Sequence, residues 1–161
     1  MASSDYFLKV EGVKGEATDE KHKDEIDIAS FTFGAEQRTG AVGGGHGAGK
    51  VQIRDVSFTA KVNKSSPILF LKCATGEHIK EATLVCRRAG GKQEEYFTAK
   101  FSDIFVSSYQ VGGQDSADAI PTDQFSLNFA KIELEYKPQD AKGALGTPSK
   151  AGYDTKLQKK L

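Results

Sequence analysis

The chain has 161 residues with 22 basic and 22 acidic side chains, so its formal net charge is zero. A balanced chain has no overall field to attract nucleic acid or an anionic membrane, which disfavours a nucleic-acid-binding function and membrane insertion. Hydrophobic residues make up 38% of the chain, and a chain of this length and composition is expected to fold as one domain. No run approaches the roughly 20 apolar residues of a membrane span. The N-terminus lacks a basic segment followed by an apolar one, so we expect a soluble cytosolic chain made without a signal peptide.

The first part of the chain predicts a strand and then a charged loop. Residues 7–10 have the spacing of a short first strand, and the charged run in residues 11–25 predicts a solvated connection. From residue 26 onward most apolar residues are spaced by two, which is typical of strands with one buried face. The fold should therefore be mainly β.

A strand and a glycine-rich loop come next. The strand over residues 26–35 places Phe31 and Phe33 on one face and Thr32 on the opposite, polar face. Residues 40–50 contain six glycines and no side chain larger than histidine before the terminal lysine. Such a segment buries too little surface to order itself, so we expect a loop that becomes ordered on a partner.

Two longer strands each change phase part-way along. The apolar positions of residues 51–62 shift by one at residues 54–55, which predicts a β-bulge. The long final strand over residues 125–136 shifts in the same way at residues 130–131. We expect both to be single, bulged strands.

One helix and one hairpin are predicted between them. Residues 65–66 are serines that could cap a helix, Pro67 suits its first turn, and Gly76 can end it. Strand spacing over residues 82–111 is interrupted by glycines at 90–91, which predicts a hairpin.

A partial phosphate-binding motif is present, but it does not indicate a nucleotide site. Gly44, Gly49 and Lys50 match G-x-x-x-x-G-K. Val51 stands where Ser or Thr would bind magnesium, and the next element is a predicted strand instead of a helix whose N-terminus would face the phosphates. Nucleotide binding is therefore disfavoured.

The histidines and serines do not form a recognisable catalytic or metal-binding pattern. His22, His46 and His78 are far apart in sequence without ligand spacing, so exposed or capping roles are favoured. A Ser-His-Asp site could use Ser65 or Ser66 with His78, but no G-x-S-x-G motif accompanies them. We expect no catalytic, metal or cofactor site.

The remaining features favour interaction over catalysis. Cys73 and Cys86 are 13 residues apart, a spacing of neither a redox motif nor a zinc site, and both are interpreted as buried apolar side chains. Long strands with one polar face need their sheet edges covered, and assembly with other copies is one way to cover them. The glycine loop could order on a neighbouring subunit.

Short motifs follow one another along nearly the whole chain in a characteristic order. They are 5–16 (DYFLKVEGVKGE), 30–34 (SFTFG), 43–51 (GGGHGAGKV), 56–59 (VSFT), 64–67 (KSSP), 76–78 (GEH), 87–91 (RRAGG), Tyr96, 106–108 (VSS) and 125–132 (FSLNFAKI). This order resembles that of the Hcp family, the tube-forming proteins of bacterial type VI secretion systems. Phe31 and Phe33 stand where many relatives have tryptophan, and Asn63 replaces a common aspartate.

The resemblance implies a small β-barrel of two antiparallel sheets with one flanking α-helix. It further implies homohexameric rings that stack into a hollow tube, which a contractile sheath propels with a VgrG-type spike at its tip and effector proteins in the pore. The protein would be made in the bacterial cytoplasm and secreted by the type VI route into the extracellular space or a target cell, without enzyme activity or cofactor.

Several positions can be assigned expected roles on this basis. We expect the barrel domain to span residues 1–137 and a C-terminal tail, partly ordered or packed on a neighbour, to span residues 138–161. Thr32 is expected to face the pore. The expected ring-stacking loop consists of Gly43, Gly44, Gly45, His46, Gly47, Ala48 and Gly49. The alternative is a stand-alone β-sandwich that binds a ligand such as a carbohydrate, which would need exposed aromatic platforms.

Overall fold

The computed structural model describes residues 4–38, 49–89, 92–117 and 119–161. These residues form twelve β-strands and one α-helix, which confirms the mainly β fold class. In chain order the elements are β1 (Ser4–Val10), β2 (Ile26–Ile28), β3 (Ser30–Thr32), β4 (Ala35–Gln37), β5 (Val51–Ile53), β6 (Val56–Lys61), α1 (Ser66–Thr75), β7 (Ile79–Arg88), β8 (Glu95–Gly112), β9 (Thr122–Asn128), β10 (Lys131–Tyr136), β11 (Ser149–Asp154) and β12 (Lys159–Lys160). No helix in these ranges is long and apolar enough to cross a membrane.

The strands form two antiparallel sheets that share the 18-residue strand β8. Sheet A has the order β12-β11-β10-β8-β7-β1-β2, and sheet B has the order β3-β6-β9-β8. The first part of β8 pairs with β7 and β10, whereas its last part pairs with β9. β4 and β5 form a separate two-stranded ribbon, and α1 packs against β8. The two sheets thus make an incompletely closed barrel with one flanking helix, as predicted.

The prediction of a single strand over residues 26–35 is wrong in detail, because the segment forms separate short strands and passes from one sheet to the other. β2 pairs with β1 in sheet A, β3 pairs with β6 in sheet B, and β4 pairs with β5. The transition lies at Ala29, whose backbone N–H donates a 2.8 Å hydrogen bond to the carbonyl of Thr59. A strand must bend where it changes partners, and period-two spacing contains no signal for that bend.

The two predicted bulges also correspond to breaks between strands. Residues 54–55 separate β5, in the ribbon, from β6, in sheet B, and the N–H of Arg54 instead bonds to the carbonyl of Gly34 at 2.9 Å. Residues 129–130 separate β9 from β10, which pair with successive parts of β8. In both places a phase change marks the point where the chain leaves one sheet or ribbon for another.

The core lies between the inward faces of the two sheets. Its largest fully buried side chains include Phe58, Phe101 and Phe125. The rings of Phe58 and Phe125 lie on paired strands with centroids 5.3 Å apart. Alternation along β6, β7 and β9 places the apolar residues inward, as the sequence predicts.

Helix α1 is confirmed with Ser65 at its N-cap, but the serine side chains do not cap it. Pro67 lies in the first turn, and Gly76 ends the helix with a left-handed φ of 66°. Ser65 occupies the cap position without a side-chain hydrogen bond to the helix, and its backbone N–H bonds to the side chain of Asn63 at 2.8 Å. Ser66 directs its hydroxyl away from the helix, to Asp123 of β9.

The last part of the chain extends sheet A. The predicted hairpin is present, since β7 and β8 are antiparallel, although Gly90 and Gly91 lie outside the described residues. Beyond residue 138, β11 pairs with β10 along six residues and β12 pairs with β11. Asp154 is buried at the end of β11, where its side chain accepts hydrogen bonds from two backbone N–H groups. The domain division at residues 137/138 stays a prediction.

Candidate functional site

The outward face of sheet B is mostly polar. Directly paired residues of antiparallel strands lie on the same face, so the strand register defines its rows. Its main polar positions are Ser30, Thr32, Ser57, Thr59, Lys61, Thr122, Gln124, Ser126, Ser108 and Gln110. All except Lys61 are uncharged hydroxyl or amide side chains. We call this set the sheet B face. At one end of the same face, Phe105 is exposed and paired with Asn128.

Hydroxyl groups on the sheet B face bond to one another across strands. Ser30 bonds to Thr59, and Ser108 bonds to Ser126. Ser107 also reaches Ser126, at 2.8 Å. Because these side chains satisfy each other locally, the face is ordered without a charged residue at its centre.

Thr32 is exposed on the sheet B face, and its aromatic neighbours determine the direction of its side chain. Phe31 packs edge-on against Tyr6 at 5.2 Å, and Phe33 packs against Phe101 at 6.1 Å. These rings hold the inner side of the segment in the core, which directs Thr32 outward. The polar-face assignment from the sequence is confirmed, whereas its exposure to a pore stays a prediction.

The expected ring-stacking loop lies outside the described residues, except for Gly49. The carbonyl of Gly49 accepts a hydrogen bond from the side-chain amide of Gln37. Gln37 ends β4 and pairs with Val51 at the start of β5. The ribbon therefore leads directly into the segment that contains Gly43 to Ala48.

A buried carboxylate connects α1 to sheet B. Asp123 has no exposed surface, and it accepts hydrogen bonds from Ser66 and from the hydroxyl of Tyr109, the latter at 2.6 Å. Burial and the hydrogen bond to Asp123 raise the pKa of Tyr109 to about 12. Tyr109 lies within β8, where it pairs with Phe125.

A second polar cluster lies on the outward face of sheet A, and it corrects the expectation for His22. His22 is only 6% exposed, and its ring stacks on Phe7 with centroids 4.4 Å apart. Arg87, also buried, lies 4.8 Å from the Phe7 centroid. The expectation of a solvated histidine is wrong because this part of the 11–25 connection folds back onto β1 and β7.

Two aspartates bind the guanidinium of Arg87. Its Nη2 donates to Asp19 at 2.7 Å and to Asp5 at 3.3 Å. The hydrogen bond from Arg87 is the main reason that the pKa of Asp19 is lowered to about 2. Both carboxylates raise the pKa of Arg87 further, chiefly Asp19. The guanidinium thus links the connection to β1 and β7.

The residues considered for catalysis are not brought together. His78 is exposed and lies 3.2 Å from Asp103, whereas Ser66 bonds to Asp123. His46 lies outside the described residues. Among the residues that the structure describes, no group of His, Cys, Asp and Glu is arranged to hold a metal ion. Lys50 is followed by strand β5, as the sequence predicts, and not by a helix.

Both cysteines are free, but they differ in exposure. Cys86 is buried in the core, and burial raises the pKa of its thiol to about 12. Cys73 lies on α1 and is partly exposed. The prediction of two buried thiols is confirmed for Cys86 and only partly for Cys73.

The two-sheet fold and the motif order agree with comparisons to known proteins. Residues 7–136 match the family model described as type VI secretion system effector, Hcp. The chain belongs to the Hcp family. It is 41% identical over 153 residues to Protein hcp1 of Pseudomonas aeruginosa, an alignment that covers 93% of this chain and 94% of that protein.

Solved structures of the Hcp family have the same fold. Hcp1 from Salmonella typhimurium is 32% identical and covers 100% of both chains with a TM-score of 0.81. A structure described as a type six secretion system protein is 27% identical, covers 99% of this chain and 100% of its own, and has a TM-score of 0.90. The chain is therefore a secreted, β-rich Hcp protein of type VI secretion.

Proposed function

We propose that this chain is the structural subunit of the inner tube of a type VI secretion system. Six copies form a ring, and rings stack into a hollow tube that carries effector proteins in its pore. A contractile sheath drives the tube out of the cell with a VgrG-type spike at its tip. Membership of the Hcp family supports the system and the secretion, and the assembly is the step that we add.

The observation that carries the proposal is the sheet B face. A pore wall must stay hydrated and yet allow different cargo proteins to enter and leave. Hydroxyl and amide groups make exchangeable hydrogen bonds, whereas a wall of one charge would attract or repel cargo strongly. With Thr32 exposed and Lys61 at the end of β6, the face has the chemistry of such a wall.

Balanced charge also supports a polymer of many copies. The 22 basic and 22 acidic residues leave no net charge per subunit, so stacked rings do not accumulate a large repulsive charge. A head-to-tail interface that closes after six copies leaves two different ring faces, which can bind each other repeatedly. The role needs no catalytic group.

We assign ring stacking to the Gly43 to Gly49 segment. The β4–β5 ribbon, which is not hydrogen-bonded to either sheet, leads directly into it. Replacing Gly45 and Gly47 with bulky residues should leave rings intact and impair stacking. Unchanged tube formation by this variant would contradict the assignment of ring stacking to this segment.

Solution mass and imaging test the ring directly. Light scattering on a sizing column should give about 104 kDa for six chains of 17.4 kDa, and negative-stain images of that peak should show a central hole. A 17.4 kDa species that persists at high concentration would contradict a self-assembling tube subunit. A thermal-shift screen with sugars and nucleotides should show no stabilisation, whereas a hit would favour the ligand-binding alternative.

A further inference from the structure

The imidazole of His22 lies between two carboxylates, one on each ring nitrogen. Nδ1 is 2.9 Å from Oε2 of Glu25, in the same connection, and Nε2 is 2.7 Å from Oε1 of Glu95, at the start of β8. The His22 side chain is 7% exposed, and that of Glu95 is 39% exposed. Protons can therefore reach the site from solvent on the Glu95 side.

Only one protonation state of His22 satisfies both contacts. An ionised carboxylate can only accept hydrogen bonds, and a neutral imidazole carries a single N–H. The neutral ring would direct its lone pair at one of the two carboxylates. The imidazolium donates to Glu25 and Glu95 together, and both hydrogen bonds are then charge-assisted.

The charged groups around His22 come from the connection and from β1, β2, β7 and β8; Asp27 of β2 is paired with Phe7 and lies on the same face of sheet A, near Asp5 and Asp19. Arg87 of β7 is bound by Asp5 of β1 and Asp19 of the connection, so its charge is largely balanced by its own partners. Asp19 also accepts a 3.2 Å hydrogen bond from the backbone N–H of His22. Glu25 and Glu95 therefore contact the imidazole of His22 and not Arg87. The imidazole also stacks on Phe7.

The contact with Glu95 crosses from the connection to the sheet. Within the connection, backbone hydrogen bonds join Gly15 to Asp24 at 2.8 Å and Ala17 to Glu25 at 3.0 Å, which makes residues 15–25 a folded unit. Two side-chain links attach this unit to sheet A, from Asp19 to Arg87 and from His22 to Glu95. Of these two links, only the one from His22 needs an imidazole that carries a proton on both nitrogens.

We propose that His22 is a proton-operated latch that holds residues 15–25 on sheet A. Protonation closes the latch by supplying the second N–H, and loss of that proton to solvent opens one carboxylate contact. The proton is exchanged with water and no other reactant is involved. When the proton on Nε2 is the one lost, the Glu95 contact opens, and the connection is held by the Arg87 link and by packing that includes the stacking of His22 on Phe7.

The sign of the pH dependence follows from the closed form being the acid form. The latch is closed while His22 is doubly protonated and both carboxylates are ionised, and it opens when rising pH removes one of the two imidazole protons. Protection of residues 15–25 should therefore be greatest in mildly acidic solution.

Hydrogen–deuterium exchange read by mass spectrometry tests the latch in whatever assembly the protein forms. With intrinsic rates corrected for pH, peptides from residues 15–25 should lose about tenfold in protection between pH 5.5 and 9.0, as expected for one charge-assisted hydrogen bond. Peptides from β9 serve as the internal reference and should change little. A pH-independent protection factor in residues 15–25 would overturn the proposal.

Three variants separate the latch from ordinary histidine titration. His22→Gln should remove the pH dependence, and Glu95→Gln should do so too because the amide can donate to a neutral imidazole. His78→Gln, at an exposed imidazole that contacts Asp103, should retain the tenfold change of the native chain. If His22→Gln fails to fold, the Glu95→Gln variant decides, and a native pH profile in that variant would contradict the latch.

Discussion

The hydroxyl of Tyr109 lies 2.6 Å from Oδ1 of Asp123 and donates a hydrogen bond to a carboxylate that has no exposed surface. Ser66, in the first turn of α1, donates to the other carboxylate oxygen. Asp123 is in β9 and Tyr109 is in β8, so one buried group joins the helix to two strands of sheet B. Since the pKa of Tyr109 is raised to about 12, its hydroxyl remains a donor throughout the neutral range.

Tyr109→Phe should lower the free energy of unfolding by about 1–3 kcal/mol, because it leaves a buried acceptor without one of its two partners. Urea unfolding followed by circular dichroism measures this. Tyr96→Phe is the matched control, since its hydroxyl bonds at 2.9 Å to Ser4 in an exposed position. The control should change stability by less than about 0.5 kcal/mol. Equal effects of the two substitutions would contradict a special role for the Asp123 contact.

The sequence predicts the elements that depend on local signals. Helix α1 has Pro67 in its first turn and Gly76 at its end, and the core strands alternate apolar and polar residues. The polar face that contains Thr32 follows from the same alternation, because Phe31 and Phe33 occupy the buried phase. These features need no knowledge of which strand pairs with which.

The features that the sequence did not predict depend on pairing and burial at a distance. Breaks at Ala29 and at residues 54–55 occur where the chain changes sheets, which a strand pattern alone does not record. His22 lies in a strongly charged run and is nevertheless buried, because its carboxylate partner Glu95 is 73 residues away. A charged run gives no local signal that one of its members is paired across the fold.

Asp19→Asn should make the protein less stable at neutral pH and flatten its stability in acid. Folding lowers the pKa of Asp19 from 3.8 to about 2, so the ionised carboxylate stabilises the fold above about pH 4. That contribution is lost as pH falls from 4 towards 2, because the folded state must then take up the proton. Urea midpoints measured between pH 2 and pH 7 should therefore converge for the native chain and the variant at the acid end.

Asp5→Asn is the matched control for this ion pair. Asp5 binds the same guanidinium nitrogen of Arg87 at 3.3 Å and is 41% exposed, whereas Asp19 binds it at 2.7 Å and is 20% exposed. A longer and better hydrated contact contributes less. The control should reduce stability less than Asp19→Asn at pH 7, and a larger effect of Asp5→Asn would contradict the assignment of Asp19 as the main partner.

Gly15→Ala should destabilise the fold by about 1–3 kcal/mol through steric overlap. A methyl group at Gly15 would lie 2.8 Å from the Cα of Ile26 and would also contact the backbone of Glu25, which cannot move without disturbing β2. Gly34→Ala is the control, since its nearest neighbour would be the flexible end of Arg54 at 3.9 Å. Thermal unfolding should show a lower midpoint for Gly15→Ala only; equal midpoints would show that the connection can adjust.

The two thiols should react at very different rates in the folded protein. Cys86 is 2% exposed and its pKa is raised to about 12, so at pH 8 it presents almost no thiolate, whereas Cys73 is partly exposed on α1. Treatment with N-ethylmaleimide should give one adduct, which peptide mapping should place on Cys73. Two adducts should form in denaturant. Rapid modification of Cys86 without denaturant would mean that sheet A opens frequently.

The pore-facing role proposed for Thr32 can be tested by position as well as by function. In a Cys73→Ala background, Thr32→Cys labelled with a small maleimide–gold cluster should place density within the central hole of negatively stained rings. Lys150→Cys is the control, because Lys150 is on the outward face of sheet A, paired with Glu135, and this face is directed away from the sheet B face. Gold bound at the control position should lie off the central axis. If the gold on Thr32→Cys is found at the ring periphery instead, the sheet B face does not line the pore, even where the ring itself is confirmed.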